Sequence, residues 1–88
     1  MRGVLILREA LDELCIGSYV EDGAFYDFET IRSLPERGPM YFSCERFLMR
    51  RAPYAIYYRS TEKEVRIVAA LPLSAPSSSV RRIVRSRR

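Results

Sequence analysis

Four arginines and one tyrosine are the residues of this chain whose types and spacing suggest chemistry. They are spread over residues 46–66, where apolar and polar positions alternate. The candidates are Arg46, Arg50, Tyr57, Arg59 and Arg66. A guanidinium group stays charged at physiological pH, and its N–H donors match the oxygens of carboxylates and phosphates. These residues predict a surface that binds an anionic partner.

Acid–base catalysis has no evident residues in this sequence. The chain contains no histidine, tyrosine titrates near about 10, and arginine does not release its proton in proteins. We therefore expect no catalytic residues, and the sequence favours a non-enzymatic role over an enzymatic one while leaving the question open. Cys15 and Cys44 form no metal-like pair, so no metal and no cofactor is expected. Both cysteines are expected to be small buried residues rather than a disulfide, which a reducing cytosol disfavours.

Composition fits one globular domain. The chain has 88 residues, of which 48% are hydrophobic and 30% are charged. Its apolar runs are too short for a membrane span, and the start of the chain does not resemble a signal peptide. We therefore expect a cytoplasmic protein with no membrane partner.

The two halves of the chain carry opposite net charges. Residues 1–45 hold four basic and nine acidic residues, a net charge of −5. Residues 46–88 hold eleven basic and two acidic residues, a net charge of +9. A strongly basic half indicates an acidic partner, which is either a nucleic acid or an acidic protein segment.

The first half of the chain predicts one strand and two helices. Residues 4–7 form a short apolar run that is typical of a strand. Residues 8–20 follow a helical pattern that a glycine ends within residues 21–23. Residues 24–34 predict a second helix, which Pro35 stops. The two helices are expected to form an antiparallel hairpin.

The second half predicts three strands, over residues 45–51, 54–60 and 64–71. Connections this short make consecutive strands antiparallel. The expected fold is α+β, with a short N-terminal strand, an antiparallel helix hairpin and then a three-stranded antiparallel sheet that carries the helices on one face. This domain covers residues 1–73. Residues 74–88 are expected to be a basic, serine- and arginine-rich tail with a possible short helix.

Strand alternation assigns side chains to the two faces of the predicted sheet. One face is expected to be core, and its members are Ile56, Tyr58, Val65, Ile67, Ala69 and Leu71. The other face is expected to be uncovered. It gathers the arginine and tyrosine candidates beside Leu48 and Val68, and such a mixture is more typical of a contact surface than of a solvated one.

Four stretches of sequence resemble a known family. Residues 50–59 read RRAPYAIYYR, and residues 64–71 read EVRIVAAL after a polar turn. Residues 9–14 (EALDEL) and 34–39 (LPERGP) add weaker matches. Together they resemble the RelE/ParE superfamily of toxins from bacterial type II toxin–antitoxin systems, a plasmid-stabilisation family. The resemblance implies a growth-inhibiting toxin that forms a hetero-oligomer with an acidic antitoxin, and it implies that the five candidates bind the antitoxin or the target.

The resemblance leaves three functions open. A ParE-like toxin binds a protein target, which the family implies is DNA gyrase. A RelE-like toxin cleaves messenger RNA on the ribosome, but that branch usually has an arginine where this chain has Ala55, and a C-terminal general acid that this chain lacks. A toxin-derived binding module that has lost toxicity is the third possibility. The ParE-like function is the one that this sequence favours.

Overall fold

A computed structural model of the chain describes residues 2–15, 18–34 and 40–87. The elements in chain order are β1 (Gly3–Ile6), α1 (Arg8–Leu14), α2 (Ser18–Ser33), β2 (Met40–Tyr41), β3 (Cys44–Leu48), β4 (Tyr54–Ser60), β5 (Glu64–Pro72) and α3 (Ser77–Ser86). The turn predicted after the second helix, at residues 35–39, lies outside the described residues. None of the described helices is both long enough and apolar enough to cross a membrane.

The sheet is larger than the sequence predicts, and it is mixed. Its five strands lie in the order β1-β5-β4-β3-β2. β1 runs parallel to β5, whereas the other neighbours are antiparallel. The predicted three-stranded antiparallel sheet is therefore wrong. Two features of the sheet were not predicted from the sequence. Strand β2 has only two residues, which is too short for a recognisable pattern. The crossover through α1 and α2 allows β1 to pair with β5 in parallel.

The predicted helix hairpin is also wrong. α1 has only seven residues, whereas α2 has sixteen and continues through residues 21–23, where the sequence predicted a break. Gly23 is buried in α2, and a Cβ at this position would lie 3.8 Å from both Met49 Cε and Arg51 Cβ. These are ordinary van der Waals distances, so the packing does not require a glycine here, and the tertiary contacts of α2 override its helix-breaking tendency.

The sheet separates two hydrophobic cores. The first core lies between the sheet and helices α1 and α2, and it includes Ala10, Leu14, Ala24, Phe28, Ile31, Ile56, Tyr58, Val65, Ile67 and Ala70. The second core lies between the sheet and α3, and it comprises Cys44, Ala55, Tyr57, Val68, Ala69, Leu71, Val80 and Val84. The predicted burial of Ile56, Tyr58, Val65 and Ile67 is confirmed. Cys15 is exposed, so only Cys44 matches the prediction of two buried cysteines.

A bulge in β5 explains which side chains face each core. Tyr57 pairs with Ala69, but the next residue, Tyr58, pairs with Ile67, so Val68 is the extra residue. An extra residue reverses the alternation beyond it. Ala69 and Leu71 therefore join the second core, and their predicted place beside Ile67 is wrong.

The segment predicted to be a basic tail with a short helix forms helix α3 over residues 77–86, and this helix packs on the sheet. Val80 and Val84, spaced as neighbours on one face of α3, are buried against the sheet. The end of this segment is fixed by Arg87, whose Nη1 donates to Glu13 Oε1 at 2.7 Å and to the Val68 carbonyl at 3.1 Å. Glu13 also accepts the Ala70 N–H at 3.1 Å. These contacts satisfy the edge of β5 beyond the end of β1.

Candidate functional site

The sheet register brings four of the five predicted site residues to one face. Arg46 pairs directly with Tyr57, and Arg59 pairs directly with Arg66. Residues directly opposite each other in an antiparallel pair lie on the same face, and so do residues two apart in a strand. This is the face on which α3 packs.

Arg50 is the predicted residue that the fold separates from the others. It follows the end of β3, and its backbone N–H donates to Asp27 Oδ2 in α2 at 3.4 Å. Arg50 and Arg51 line a cleft of about 120 Å³ together with α2 residues, on the opposite side of the sheet from α3. The alternation rule does not apply to Arg50 because the strand ends before it.

Helix α3 covers part of the face that was expected to be open. Val68 is fully buried and Tyr57 is only 6% exposed beneath the helix, whereas Leu48 remains 54% exposed. Tyr57 is therefore mainly a core residue beneath α3 rather than an exposed contact residue. The arginines on either side of the helix stay accessible: Arg59 and Arg66 are exposed, and Arg46 is half-buried.

The charge asymmetry of the sequence becomes an asymmetry between two sides of the molecule. On the α3 side, three exposed arginines of the helix add to those of the sheet. We call this surface the basic face, and its members are Arg46, Arg59, Arg66, Arg81, Arg82 and Arg85. The α1 and α2 side carries exposed acidic residues, which are Glu9, Asp12, Asp22 and Glu29, and their charge is largely balanced there by the exposed Arg8, Arg50 and Arg51. A field of this shape attracts and orients an acidic partner.

A cleft opens on the basic face between the β2–β3 hairpin, the sheet and the start of α3. We call it the hairpin cleft. Its volume is about 200 Å³, and its lining includes Tyr41, Phe42, Arg46, Tyr57, Leu73 and Val80. The lining is both cationic and aromatic, a combination that suits a ligand with an anionic group and an apolar part.

The β2–β3 turn that forms one wall of this cleft is strained. Phe42 and Ser43 have φ values of 54° and 70°. Tight hairpins of this kind normally use asparagine and glycine, because a side chain at positive φ costs about 1–2 kcal/mol per residue. Contacts of Phe42 offset the strain, since it packs on the second core and Arg81 lies over its ring at 5.4 Å. Backbone strain of this kind is often concentrated at functional sites.

Arg46 and two tyrosines meet in the hairpin cleft. The guanidinium carbon of Arg46 lies 5.0 Å from the centre of the Tyr41 ring, a cation–π contact. Arg46 Nε is buried and has no hydrogen-bond partner within the described part of the chain. Burial raises the pKa of Tyr57, and the Arg46 cation opposes this rise. Tyr57 is therefore a protonated hydrogen-bond donor near a cation rather than a base at neutral pH.

A second cleft on the basic face is lined by paired arginines. It has a volume of about 280 Å³, and its lining comprises Arg59, Ser60, Thr61, Glu64 and Arg66. Like charges directly opposite each other in neighbouring strands repel. Glu64 offsets this repulsion only weakly, because its carboxylate lies 3.9 Å from Arg66 and both side chains are nearly half exposed.

The sequence analysis missed two buried carboxylates. Asp27 is 2% exposed, and burial raises its pKa even though the Arg50 N–H and the nearby arginine charges act against the rise. Its position within the apolar stripe of α2, between Ala24 and Ile31, was the available signal. Glu45 is 6% exposed and accepts the Ser60 hydroxyl at 2.8 Å. Burial, with the Glu45 carboxylate, raises the pKa of Tyr58 to about 12.

No group of three or more histidine, cysteine, aspartate or glutamate side chains within the described ranges could hold a metal ion. Comparison with known proteins adds no relative: no family model, no curated protein and no solved structure matches the chain. The functional argument therefore rests on the geometry and charge of the basic face.

Proposed function

We propose that this chain is a non-enzymatic binding protein whose basic face engages an acidic protein partner, as the toxin of a type II toxin–antitoxin module of RelE/ParE type. The observation that carries the proposal is the spatial separation of charge. Arginines of β3, β4, β5 and α3 share one side of the sheet, whereas exposed acidic residues occupy the other side.

Binding suits the chemistry of the basic face better than catalysis does. General acid–base catalysis requires a group that titrates near the operating pH. Tyr57 is the predicted site residue that could exchange a proton, and burial moves its pKa further above neutrality. The permanently charged arginines supply attraction without proton transfer.

The surface composition suits a protein partner with both acidic and apolar side chains. Leu48 is 54% exposed, Leu73 is 46% exposed and Tyr41 is 40% exposed. Arg46 lies in β3 between Tyr41 and Leu48, so apolar and cationic groups alternate over a short distance. In this proposal an antitoxin segment pairs acidic residues with the arginines and covers the apolar groups. A cellular target such as DNA gyrase competes for the same face.

The experiment is induction of the chain in a bacterial host, with and without the product of a small acidic reading frame, where one adjoins the gene of this chain. Growth arrest that the neighbour relieves is the expected result. The Arg59→Ala/Arg66→Ala variant should lose the arrest, because both side chains are exposed on the basic face. The Arg8→Ala/Arg51→Ala variant is the matched control. This variant also loses two positive charges from exposed residues, Arg8 on α1 and Arg51 beside α2. It should still arrest growth.

Two readouts of the arrested cells identify the mode of action. Filamentation with a DNA-damage response supports a gyrase-type target. Cuts at defined codons in translated messages would contradict the binding function and favour the messenger-RNA nuclease of RelE type. A folded, well-expressed chain that leaves growth unchanged but binds the neighbouring product would instead be a detoxified binding module.

A further inference from the structure

Arg46 lines the hairpin cleft, and one of its donors is unsatisfied. Its Nε is buried and has no hydrogen-bond partner among the residues that the structure describes. Buried polar groups in folded proteins are nearly always hydrogen-bonded, because an unmet donor loses its hydration without compensation. An anionic group in the cleft would offset this loss through its attraction to the Arg46 charge.

The position of Arg46 is fixed on two sides. The Tyr41 ring lies under the guanidinium at 5.0 Å, and Tyr57 is directly opposite Arg46 in the neighbouring strand. The strained turn at residues 42–43 fixes the relation of β2 to β3, and therefore the relation of Tyr41 to Arg46. A cation held in this way binds an anion with little loss of side-chain freedom.

The surroundings of Arg46 favour a negative charge. Among the residues that the structure describes, the lining of the cleft includes no carboxylate. Ser77, the first residue of α3, lies at the cleft, and the first turn of this ten-residue helix contains no acidic residue. The partial positive charge of the helix start therefore adds to that of Arg46. The Tyr41 and Tyr57 side chains can donate hydroxyl protons there.

We propose that the hairpin cleft is a binding site for one small oxyanion, a carboxylate or a phosphate group, with the Arg46 guanidinium as its main ligand and the Tyr41 and Tyr57 hydroxyls as further donors. Arginine binds both kinds of oxyanion through paired N–H donors. The apolar residues Phe42, Leu73 and Val80 line the same cleft and leave room for the organic part of a ligand. This site does not depend on the proposed function, because a free anion can occupy it without a partner protein.

The test is the melting temperature of the full chain as inorganic phosphate or sodium acetate is added, with sodium chloride keeping the ionic strength constant. A ligand that binds only the folded state raises the melting temperature with a saturable dependence on concentration. We expect a rise of about 4 °C or more near saturation for at least one of the two anions. A response to acetate alone assigns the site to carboxylates, and a response to phosphate alone assigns it to phosphate groups.

Substitutions locate the site. Arg46→Gln should abolish the saturable rise in melting temperature. Arg46→Lys should increase the anion concentration needed for half of the rise by about 10-fold, because lysine lacks the paired donors. Arg66→Gln removes an equal charge from the other cleft of the basic face and should leave the response intact. Direct titration by calorimetry on each folded variant separates loss of binding from loss of stability.

Three outcomes would overturn the proposal. The first is a wild-type response to both anions no greater than that to chloride alone. The second is a full response in Arg46→Gln, which would place the anion elsewhere. The third is equal loss in Arg46→Gln and Arg66→Gln, which would indicate diffuse screening of the basic face rather than a site.

Discussion

The two sides of the sheet differ in the size of their buried side chains and in how much open surface they leave. The first core, beneath α1 and α2, uses large side chains such as Leu14, Phe28 and Ile31, and these are buried almost completely. The second core, beneath α3, consists mostly of alanine and valine with Cys44, Tyr57 and Leu71, and an open cleft lies at its edge beside a strained turn. Apolar burial is the main source of stability, whereas open concave surface with charge favours binding. We infer that the first core is the larger source of apolar stability, whereas the open, charged side is the one proposed to bind a partner.

The largest expected effect comes from removing α3, which tests whether the second core is needed at all. Truncation after Leu73 removes Val80 and Val84 and uncovers Val68, all of which are buried. Each buried side chain of this size contributes about 1.5–3 kcal/mol. Small domains have total stabilities of only about 5–15 kcal/mol, so the truncated chain should be mostly unfolded or aggregated at 37 °C. Circular dichroism during heating measures this. A melting curve equal to that of the full chain would show that α3 adds nothing to the fold.

The next effect compares single residues of the two cores. Ile67→Ala in the first core should lower the free energy of unfolding by about 2–5 kcal/mol, because Ile67 is fully buried. Val84→Ala in the second core deletes less apolar volume and should cost about 2 kcal/mol. Urea denaturation of both variants gives the two values. Equal losses, or a larger loss for Val84→Ala, would contradict the claim that the first core is the main source of stability.

A smaller effect concerns the contact that joins the two sides. Arg87→Ala leaves the Val68 carbonyl and the Glu13 carboxylate without the donor they share, and both Arg87 and Glu13 side chains are mostly buried. We expect a loss of about 1–3 kcal/mol in the free energy of unfolding. Arg82→Ala is the matched control, because it removes one exposed arginine of α3 and should change stability by less than about 0.5 kcal/mol. Equal losses in the two variants would mean that net charge, not the contact, matters.

The smallest effect is the pH dependence that arises from Asp27. Burial raises its pKa in the folded state above the usual value of 3.8. The folded chain therefore binds this proton more tightly than the unfolded chain does, and the contribution of Asp27 to stability falls as pH rises through the folded pKa. Asp27→Asn removes this penalty and can still accept the Arg50 N–H. The variant should be the more stable one at pH 7, by less than about 1 kcal/mol, and its advantage should disappear below the unfolded pKa.

Chemical denaturation at pH 7 and at pH 3 measures the Asp27 effect. The control is Asp22→Asn, an exposed residue of the same helix that should show no such change. An Asp27→Asn advantage that persists at pH 3 would mean that the amide packs better, not that the buried carboxylate titrates.

Several features of the fold could be predicted from the sequence because they depend on local patterns. Alternation in β4 correctly predicted that Ile56 and Tyr58 are core residues. It also predicted that Arg46 and Tyr57 share a face, and the two residues are paired directly between β3 and β4. Alternation failed in β5, because the bulge at Val68 has no marker in the sequence, and it does not extend to Arg50, which lies beyond the end of its strand. Alternation assumes a regular strand. Each bulge or early strand end therefore makes the predicted face wrong for the residues beyond it.

Other features depend on long-range contacts that local patterns do not contain. The glycine at position 23 usually ends a helix, yet burial near Met49 and Arg51 keeps it within α2. The serine-rich segment before Val80 resembles a linker, yet α3 is held in place by Arg87 and by Val84. The hairpin cleft could not be predicted, because its turn lacks the usual asparagine and glycine.

The central claim, that the basic face is the binding surface for an acidic protein, is tested most directly by one set of dissociation constants. The constant is measured between this chain and the product of a small acidic reading frame that adjoins its gene, where one is found, at low and at physiological salt. The account predicts binding that weakens as salt increases, because exposed charges are screened. It also predicts that Arg59→Ala/Arg66→Ala weakens binding by about 10-fold or more, whereas Arg8→Ala/Arg51→Ala leaves it unchanged. Equal weakening by the two double variants, or no binding by the folded wild-type chain, would contradict it.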